Sequence, residues 1–121
     1  MKLITRSTIT LLFLIACATP LLAQNPNVAV RVDPNKNCVK IHLKNLRSVV
    51  TGVSYVELWV YDQKTCKRIC ATRKVVNTKI KACDTFDLEL CCDNLPQASG
   101  YIYYVRVHHS AGTNEGWAFA P

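Results

Sequence analysis

For most of its length the chain alternates apolar and polar residues one for one, the period of a β-strand lying with one face on a core. No stretch keeps its apolar positions at the three-to-four spacing of an amphipathic helix, so strands are predicted throughout. Asn27 to Asp33 is the first, closed by Pro34. Cys38 to Leu46 is the second, with Val39, Ile41 and Leu43 on one face and Lys40, His42 and Lys44 on the other. Tyr55 to Tyr61 is a third, apolar on both faces as a central strand is, and Lys67 to Val76 is a basic fourth. Phe86 to Cys92 is a fifth, with Phe86, Leu88 and Leu90 inward and Asp87 and Glu89 outward; Tyr101 to His109 is a sixth and Gly116 to Ala120 a short seventh. Turn-rich pieces such as Asp62-Gln63-Lys64-Thr65 and Ser110 to Asn114 separate them. Short strands at this spacing predict an all-β, seven-stranded sandwich.

The second and fifth strands test one another. An antiparallel register that pairs Val39 with Leu90 also aligns Ile41 with Leu88 and Leu43 with Phe86, so one face of the pair is wholly apolar. The same register sets Lys40 opposite Glu89, His42 opposite Asp87 and Cys38 opposite Cys91. Each such pair contributes only about 0.2 to 1 kcal/mol. The weight of the match lies in apolar, charged and sulfur pairs falling into place together.

The amino-terminal residues break the alternation. Lys2 and Arg6 precede an apolar stretch from Ile9 to Ala18, followed by Pro20 and Leu21-Leu22-Ala23, the layout of a secretory signal over residues 1–23. A second processing reading is Leu14-Ile15-Ala16-Cys17, which resembles the lipobox of bacterial lipoproteins, in which the cysteine is lipidated and becomes the first mature residue. The expected location is secreted or periplasmic, or anchored to a bacterial membrane through Cys17. The apolar core is shorter than the ~20 residues a bilayer requires, so no transmembrane anchor is expected. Cleavage after Ala23 lowers the formal charge from +7 to +5 and leaves residues 24–121 as one basic domain with a thin core. Apart from Cys17 there remain Cys38, Cys66, Cys70, Cys83, Cys91 and Cys92, an even set that reads as a three-disulfide framework from an oxidising compartment.

The last third of the chain carries a family resemblance. Leu95-Pro96-Gln97-Ala98-Ser99-Gly100-Tyr101, followed by the alternating run to Val107, resembles the E-to-F region of fibronectin type III domains, which place a leucine six residues before a corner tyrosine. Ser110 to Trp117 resembles the F-to-G loop, and Gly52 to Trp59 is similar to the start of strand C. The resemblance spans Val50 to Phe119. It implies a fibronectin type III-like or immunoglobulin-like sandwich and makes Tyr101 the corner tyrosine, its hydroxyl reaching main chain of the E-F turn. The chain departs from the family in lacking a tryptophan on strand B and in its six cysteines. No cysteine follows Cys92, so the B-to-F disulfide of antibody domains cannot form.

In such a topology the start of strand B, the turn after strand C and the end of strand E lie at one end of the sandwich. The register joins Cys38 to Cys91, leaving Cys66 for Cys92 and Cys70 for Cys83. Exchanging Cys91 with Cys92 is the nearest alternative.

The chemistry-bearing residues form three groups. His108-His109 and Cys91-Cys92 lack metal-ligand spacing, because neighbouring strand residues point to opposite faces, so no metal or cofactor is expected. No nucleophile signature or glycine-rich phosphate loop is present, and His42 beside Asp87 reads as a surface pair, so the chain is not expected to be an enzyme. Lys64, Lys67, Arg68, Arg73, Lys74, Lys79 and Lys81 crowd one predicted hairpin. That run fits a polyanion such as glycosaminoglycan, lipopolysaccharide or an anionic surface, or else a charged edge strand that resists aggregation. Nucleic acid is disfavoured, since the run has no interleaved aromatics for base stacking.

The third group is aromatic. With Val56, Leu58 and Val60 inward, Tyr55, Trp59 and Tyr61 face outward around Glu57; with Tyr101, Tyr103, Val105 and Val107 inward, Ile102, Tyr104, Arg106 and His108 face outward. Tyr55, Trp59, Tyr61, Tyr104 and Arg106 then make a patch of the composition enriched at interface hot spots, unless a terminal segment covers it. The expected function is a non-enzymatic exported module that binds a protein partner through the outer face of its C-F-G sheet. The alternative is polyanion binding by the basic hairpin. The fold itself hosts many roles and decides nothing here.

Overall fold

The alternating residues pair into strands β1 (Val28–Asn35), β2 (Cys38–Asn45), β3 (Thr51–Asp62), β4 (Arg68–Ile80), β5 (Thr85–Cys91), β6 (Tyr101–His109) and β7 (Gly112–Ala120). The structure, a computed structural model, describes residues 26–95 and 100–120. Residues 1–25, on which the expected signal segment with Ala23 and Cys17 falls, and residues 96–99 of the turn that Tyr101 is expected to reach, lie outside the described residues. The strands form two antiparallel sheets in the orders β1-β2-β5 and β4-β3-β6-β7. Among the described residues there is no helix, and none long and apolar enough to cross a membrane.

The apolar phases of the two sheets meet as the core. Val39, Ile41, Leu43 and Leu90 come from the small sheet, and Val53, Val56, Leu58, Val60, Tyr103, Val105 and Val107 from the large one. The β2–β5 register runs from Cys38 opposite Cys91 to Lys44 opposite Thr85, as the alternation predicts. β3 is apolar on both faces because it lies between β4 and β6, with valines and a leucine inward and aromatics outward.

Four strands run longer than the pattern predicts, β3 among them, which starts at Thr51 and ends at Asp62. β1 continues through Pro34, which pairs with Val39, because β1 is an edge strand where a missing N–H is tolerated. β4 runs past Val76 to Ile80: between the pairs Val53–Thr78 and Tyr55–Val75 it carries one residue more than β3, with Asn77 at φ 44°. This is a bulge at a residue type that tolerates the left-handed region, and it is not a turn. β7 starts at Gly112, so the connection from β6 is tight.

The length of β4 corrects the disulfide framework. Cys38–Cys91 forms as expected, with Cα atoms 3.9 Å apart across the β2–β5 ladder. Cys92 pairs with Cys70 and not with Cys66, and the described residues form two disulfides where three were predicted. Cys70 stands opposite Val60, on the core-facing phase of β4, and Cys92 is 2% exposed on the inward phase after Leu90. Their bond joins the two sheets. Cys83 lies beyond the far end of β4, whose last residue Ile80 is already roughly 33 Å of extended strand from Cys70, against at most about 7 Å between bridged Cα atoms. Cys66 and Cys83 belong to neither disulfide.

Two polar anchors lock the frame. Asn45 is fully buried; its Nδ2 donates to the carbonyls of Val49, Ile80 and Lys81, and its Oδ1 accepts from Arg47 N and Thr51 Oγ1, tying the ends of β2 and β4 to the start of β3. Across the other edge, Asn114 Oδ1 accepts from Val28 N at 3.0 Å and bonds His109 Nε2 at 2.8 Å. There β7 presses on β1 so closely that a Cβ at Gly116 would sit 2.6 Å from the Val30 carbonyl oxygen.

Candidate functional site on the outer face of the large sheet

The residues on β3 and β6 that do not face the core align across the ladder into rows. Arg68, Tyr61, Ile102 and Phe119 form one row, and Ala71, Trp59, Tyr104 and Trp117 the next. Arg73, Glu57, Arg106 and Glu115 follow, then Val75, Tyr55, His108 and Thr113. One charged row therefore lies between rows that carry rings, and long side chains in one row reach the rings in the next.

The reach is through arginines. Arg106 holds its guanidinium carbon 5.3 Å from the Trp59 ring centroid and 5.8 Å from that of Tyr104. Arg68 lies over Trp59 at 5.4 Å and Arg73 over Tyr55 at 4.9 Å. Trp59, Tyr104 and Trp117 pack ring to ring, at 5.4 and 6.2 Å between centroids, and Tyr55 stacks on His108 at 4.0 Å. His108 Nε2 bonds Glu57 Oε1 at 2.8 Å. Cation–π contacts of this kind contribute about 0.5 to 1 kcal/mol where exposed and more where water is excluded.

Arg106 is committed internally. Its Nη2 donates to the Tyr104 hydroxyl at 3.1 Å, and its Nε lies 3.6 Å from Glu115 Oε2, close enough for an ion pair but too long for a hydrogen bond. That buried N–H consequently has no hydrogen-bond acceptor among the described residues. Burial pushes the Tyr104 phenol up to about 12, with the Glu115 charge acting in the same direction and the Arg106 hydrogen bond opposing it. The hydrogen bond to Tyr104 raises Arg106 further.

The structure brings Tyr55, Trp59, Tyr104 and Arg106 together as the alternation predicts, with Tyr61 one row away. It corrects one role. Tyr104 is only 7% exposed and Ile102 is fully buried, because bulky neighbours enclose them; Tyr104 is the floor of the patch and not its contact surface. Trp117, Phe119 and Arg68 complete the face. A seventh strand that starts at Gly116 leaves too few residues to fix the phase of Trp117, so the alternation does not reach it. The signal was the pairing of Tyr104 with Trp117 across a tight β6–β7 turn.

The basic run does not form one patch. Arg68 and Arg73 join the aromatic face, Lys74 pairs with core-facing Val56 on the opposite phase, Lys64 and Lys67 sit in the β3–β4 turn, and Lys79 and Lys81 lie at the other end of β4. His108 and His109 split across the sheet as adjacent strand residues must, one to Glu57 and one to Asn114. On the small sheet, a shallow hollow of about 410 Å³ borders Arg31, His42 and Asp87. Among the described residues one cluster has ligand-like spacing, Cys38, Glu89 and Cys91, but both sulfurs are joined in a disulfide and offer no thiolate.

The turn that the Tyr101 hydroxyl is expected to reach lies outside the described residues; Tyr103, two residues on, donates its hydroxyl to the Lys36 carbonyl in the β1–β2 turn at 3.1 Å. Tyr101 packs edge-on against it at 6.1 Å. Burial, with the Tyr101 charge second, raises the Tyr103 phenol.

No protein-family model matches the chain, and no curated protein matches it. Among solved structures it is similar to Northeast Structural Genomics Consortium target SoR45, with a TM-score of 0.54 at 10% identity over 78% of this chain and 83% of that one. Hypothetical protein PH1083 from Pyrococcus horikoshii OT3 gives a TM-score of 0.47 at 8% identity, covering 79% of this chain and 87% of that one. A superoxide reductase in the oxidized state gives 0.40 at 10% identity, covering 78% and 86%. The first likeness is one of fold alone, and the other two carry no argument.

Proposed function

We propose that this chain is an exported, non-enzymatic interaction domain of fibronectin type III-like topology, and that it takes a protein partner on the outer face of β4-β3-β6-β7. The observation that carries the reading is Trp59, partly buried, in contact with the guanidiniums of Arg68 and Arg106 and backed by Tyr104. A rigid aromatic anchor with arginines beside it is the composition of interface hot spots. The division into β1-β2-β5 and β4-β3-β6-β7, with β3, β6 and β7 as strands C, F and G, supports the topology. The two disulfides support an oxidising compartment, secreted or periplasmic. Polyanion binding by residues 64–81 has less support, since those cations point to different faces and ends of β4.

The test is Trp59→Ala in the mature chain, with thermal unfolding measured beside affinity for a partner captured from the native compartment. Affinity is expected to fall roughly thirtyfold, about 2 kcal/mol, with a small change in melting midpoint. A midpoint that collapses while the remaining folded protein binds normally would make Trp59 a structural residue and overturn the reading.

A further inference from the structure

We propose that the occupant of this face is an extended acidic segment of the partner protein, with carboxylates four residues apart held by Arg68 and Arg73. The inference rests on the reading of this face as a protein-binding surface and adds the chemistry of what binds.

Three arginines stack on rings here, and they are not equivalent. Arg106 is occupied by Tyr104 and Glu115. Among the described residues, no ion pair uses Arg68 or Arg73. Glu57 stands opposite Arg73 in the ladder, but His108 holds its carboxylate. Arg68 and Arg73 are both exposed, in a chain of net charge +7. Contact with the Trp59 and Tyr55 rings restrains each guanidinium, and with no acid paired to it among the described residues each can take a bidentate carboxylate. Little side-chain freedom is then left to lose on binding.

The spacing selects the ligand. Arg68 pairs with Tyr61 and Arg73 with Glu57, so the two arginines are separated by four residues of β3, or about 13 Å at 3.3 Å per residue. In an extended peptide, residues i, i+2 and i+4 share a face and span the same distance. Between the arginines stands Ala71, exposed and small, opposite Trp59. It leaves the flank of the indole open to an apolar side chain at i+2. β4 is also the outer strand of its sheet, so a segment laid alongside it can take main-chain hydrogen bonds. A sulfated polysaccharide fits less well, because the lysines that would extend its track lie at the ends and on the opposite phase of β4.

The experiment is fluorescence anisotropy with the full mature chain and a fluorescein-labelled peptide, Gly-Ser-Glu-Ser-Leu-Ser-Glu-Ser-Gly. Binding is expected to weaken about tenfold or more when both glutamates become glutamine, when they are moved three residues apart, and in the double variant Arg68→Gln/Arg73→Gln, whose melting midpoint should stay near that of the parent. Equal binding of the glutamate and glutamine peptides overturns the inference. So does a heparin fragment that binds more tightly than the peptide and responds to Lys64→Gln/Lys67→Gln/Lys79→Gln/Lys81→Gln while ignoring the double arginine variant. A captured native partner separates this inference from the reading beneath it. If that partner is lost with Trp59→Ala and kept with Arg68→Gln/Arg73→Gln, the face remains an interface and the acidic segment is wrong.

Discussion

On the outer face of β1-β2-β5, Arg31, His42 and Asp87 stand in one row and Asp33, Lys40 and Glu89 in the next. On the outer face of β4-β3-β6-β7, arginines stand beside rings. In the first, opposite charges meet in register: His42 touches Asp33 at 2.9 Å with one ring nitrogen and Asp87 at 3.1 Å with the other, and Arg31 reaches Asp33 at 3.4 Å. In the second, two of three stacked guanidiniums have no acid partner among the described residues. Charges matched to their neighbours in the ladder are finished within the fold, whereas cations oriented by aromatic faces remain available to something outside it.

The largest effect expected from disturbing this contrast comes from the small sheet. Replacing Cys38 and Cys91 with alanine opens a loop with a sequence separation of 53 and should cost about 4 kcal/mol in urea unfolding, yet leave partner affinity unchanged in the remaining folded protein. Removing Cys70–Cys92, with a separation of 22, should cost about 3 kcal/mol on the same chain-entropy argument. Loss of binding from the first double variant, in protein shown to be folded, would mean that the small-sheet face takes part in recognition after all.

A smaller effect is expected at Tyr104. Its hydroxyl hydrogen bond to Arg106 is of a kind worth about 1 kcal/mol, which Tyr104→Phe should remove in denaturant unfolding. Because its folded-state value is raised to about 12 from 10.0, the stabilisation from keeping the phenol protonated is complete below pH 10 and is lost as pH climbs through 12. Tyrosinate absorbance should show a late component in the parent that is missing from Tyr104→Phe. A titration without that component would place Tyr104 in solvent and reopen the floor of the patch. Tyr103→Phe, which removes the bond to Lys36, should likewise cost about 1 kcal/mol without touching affinity.

The smallest effect is predicted for Asp87→Asn, since the carboxylate is 67% exposed and such pairs contribute about 0 to 1 kcal/mol. A melting shift larger than that of Tyr104→Phe would show that the small-sheet network is cooperative and not a set of separate surface pairs.

The β2–β5 register could be read from the chain because a slip of one residue would bury lysines and expose leucines, so the pattern admits one solution. The phases of β3 and β6 were legible from Glu57 and Arg106, which the opposite phase would bury. β4 was not, because Thr72 and Lys74 occupy its core-facing phase and give no apolar signal, while Asn77 in a bulge has the local chemistry of a turn. The Cys70–Cys83 pair followed only by elimination once Cys66 was given to Cys92, and the length of β4 rules it out. The Cys92 signal was present: Phe86, Leu88, Leu90 and Cys92 continue one inward phase. Stacking of Arg68 and Arg73 on particular rings depends on side-chain reach between rows, which periodicity does not encode.

The neighbouring cysteines at the end of β5 also determine how the domain responds to a pull. Cys91 is tied back to Cys38 and Cys92 to Cys70, so residues 38–92 form a closed, doubly tethered loop. Tension applied through the two ends of the chain passes from Cys38 to Cys91 across one sulfur–sulfur bond and bypasses everything between them. Only β1 on one side and β6 with β7 on the other can be drawn out. Since β6 and β7 carry half of the aromatic face, a partner that clamps Trp59 to Tyr104 and Trp117 would brace the segment that gives way first, and a tethered partner would meet an inextensible block until it did.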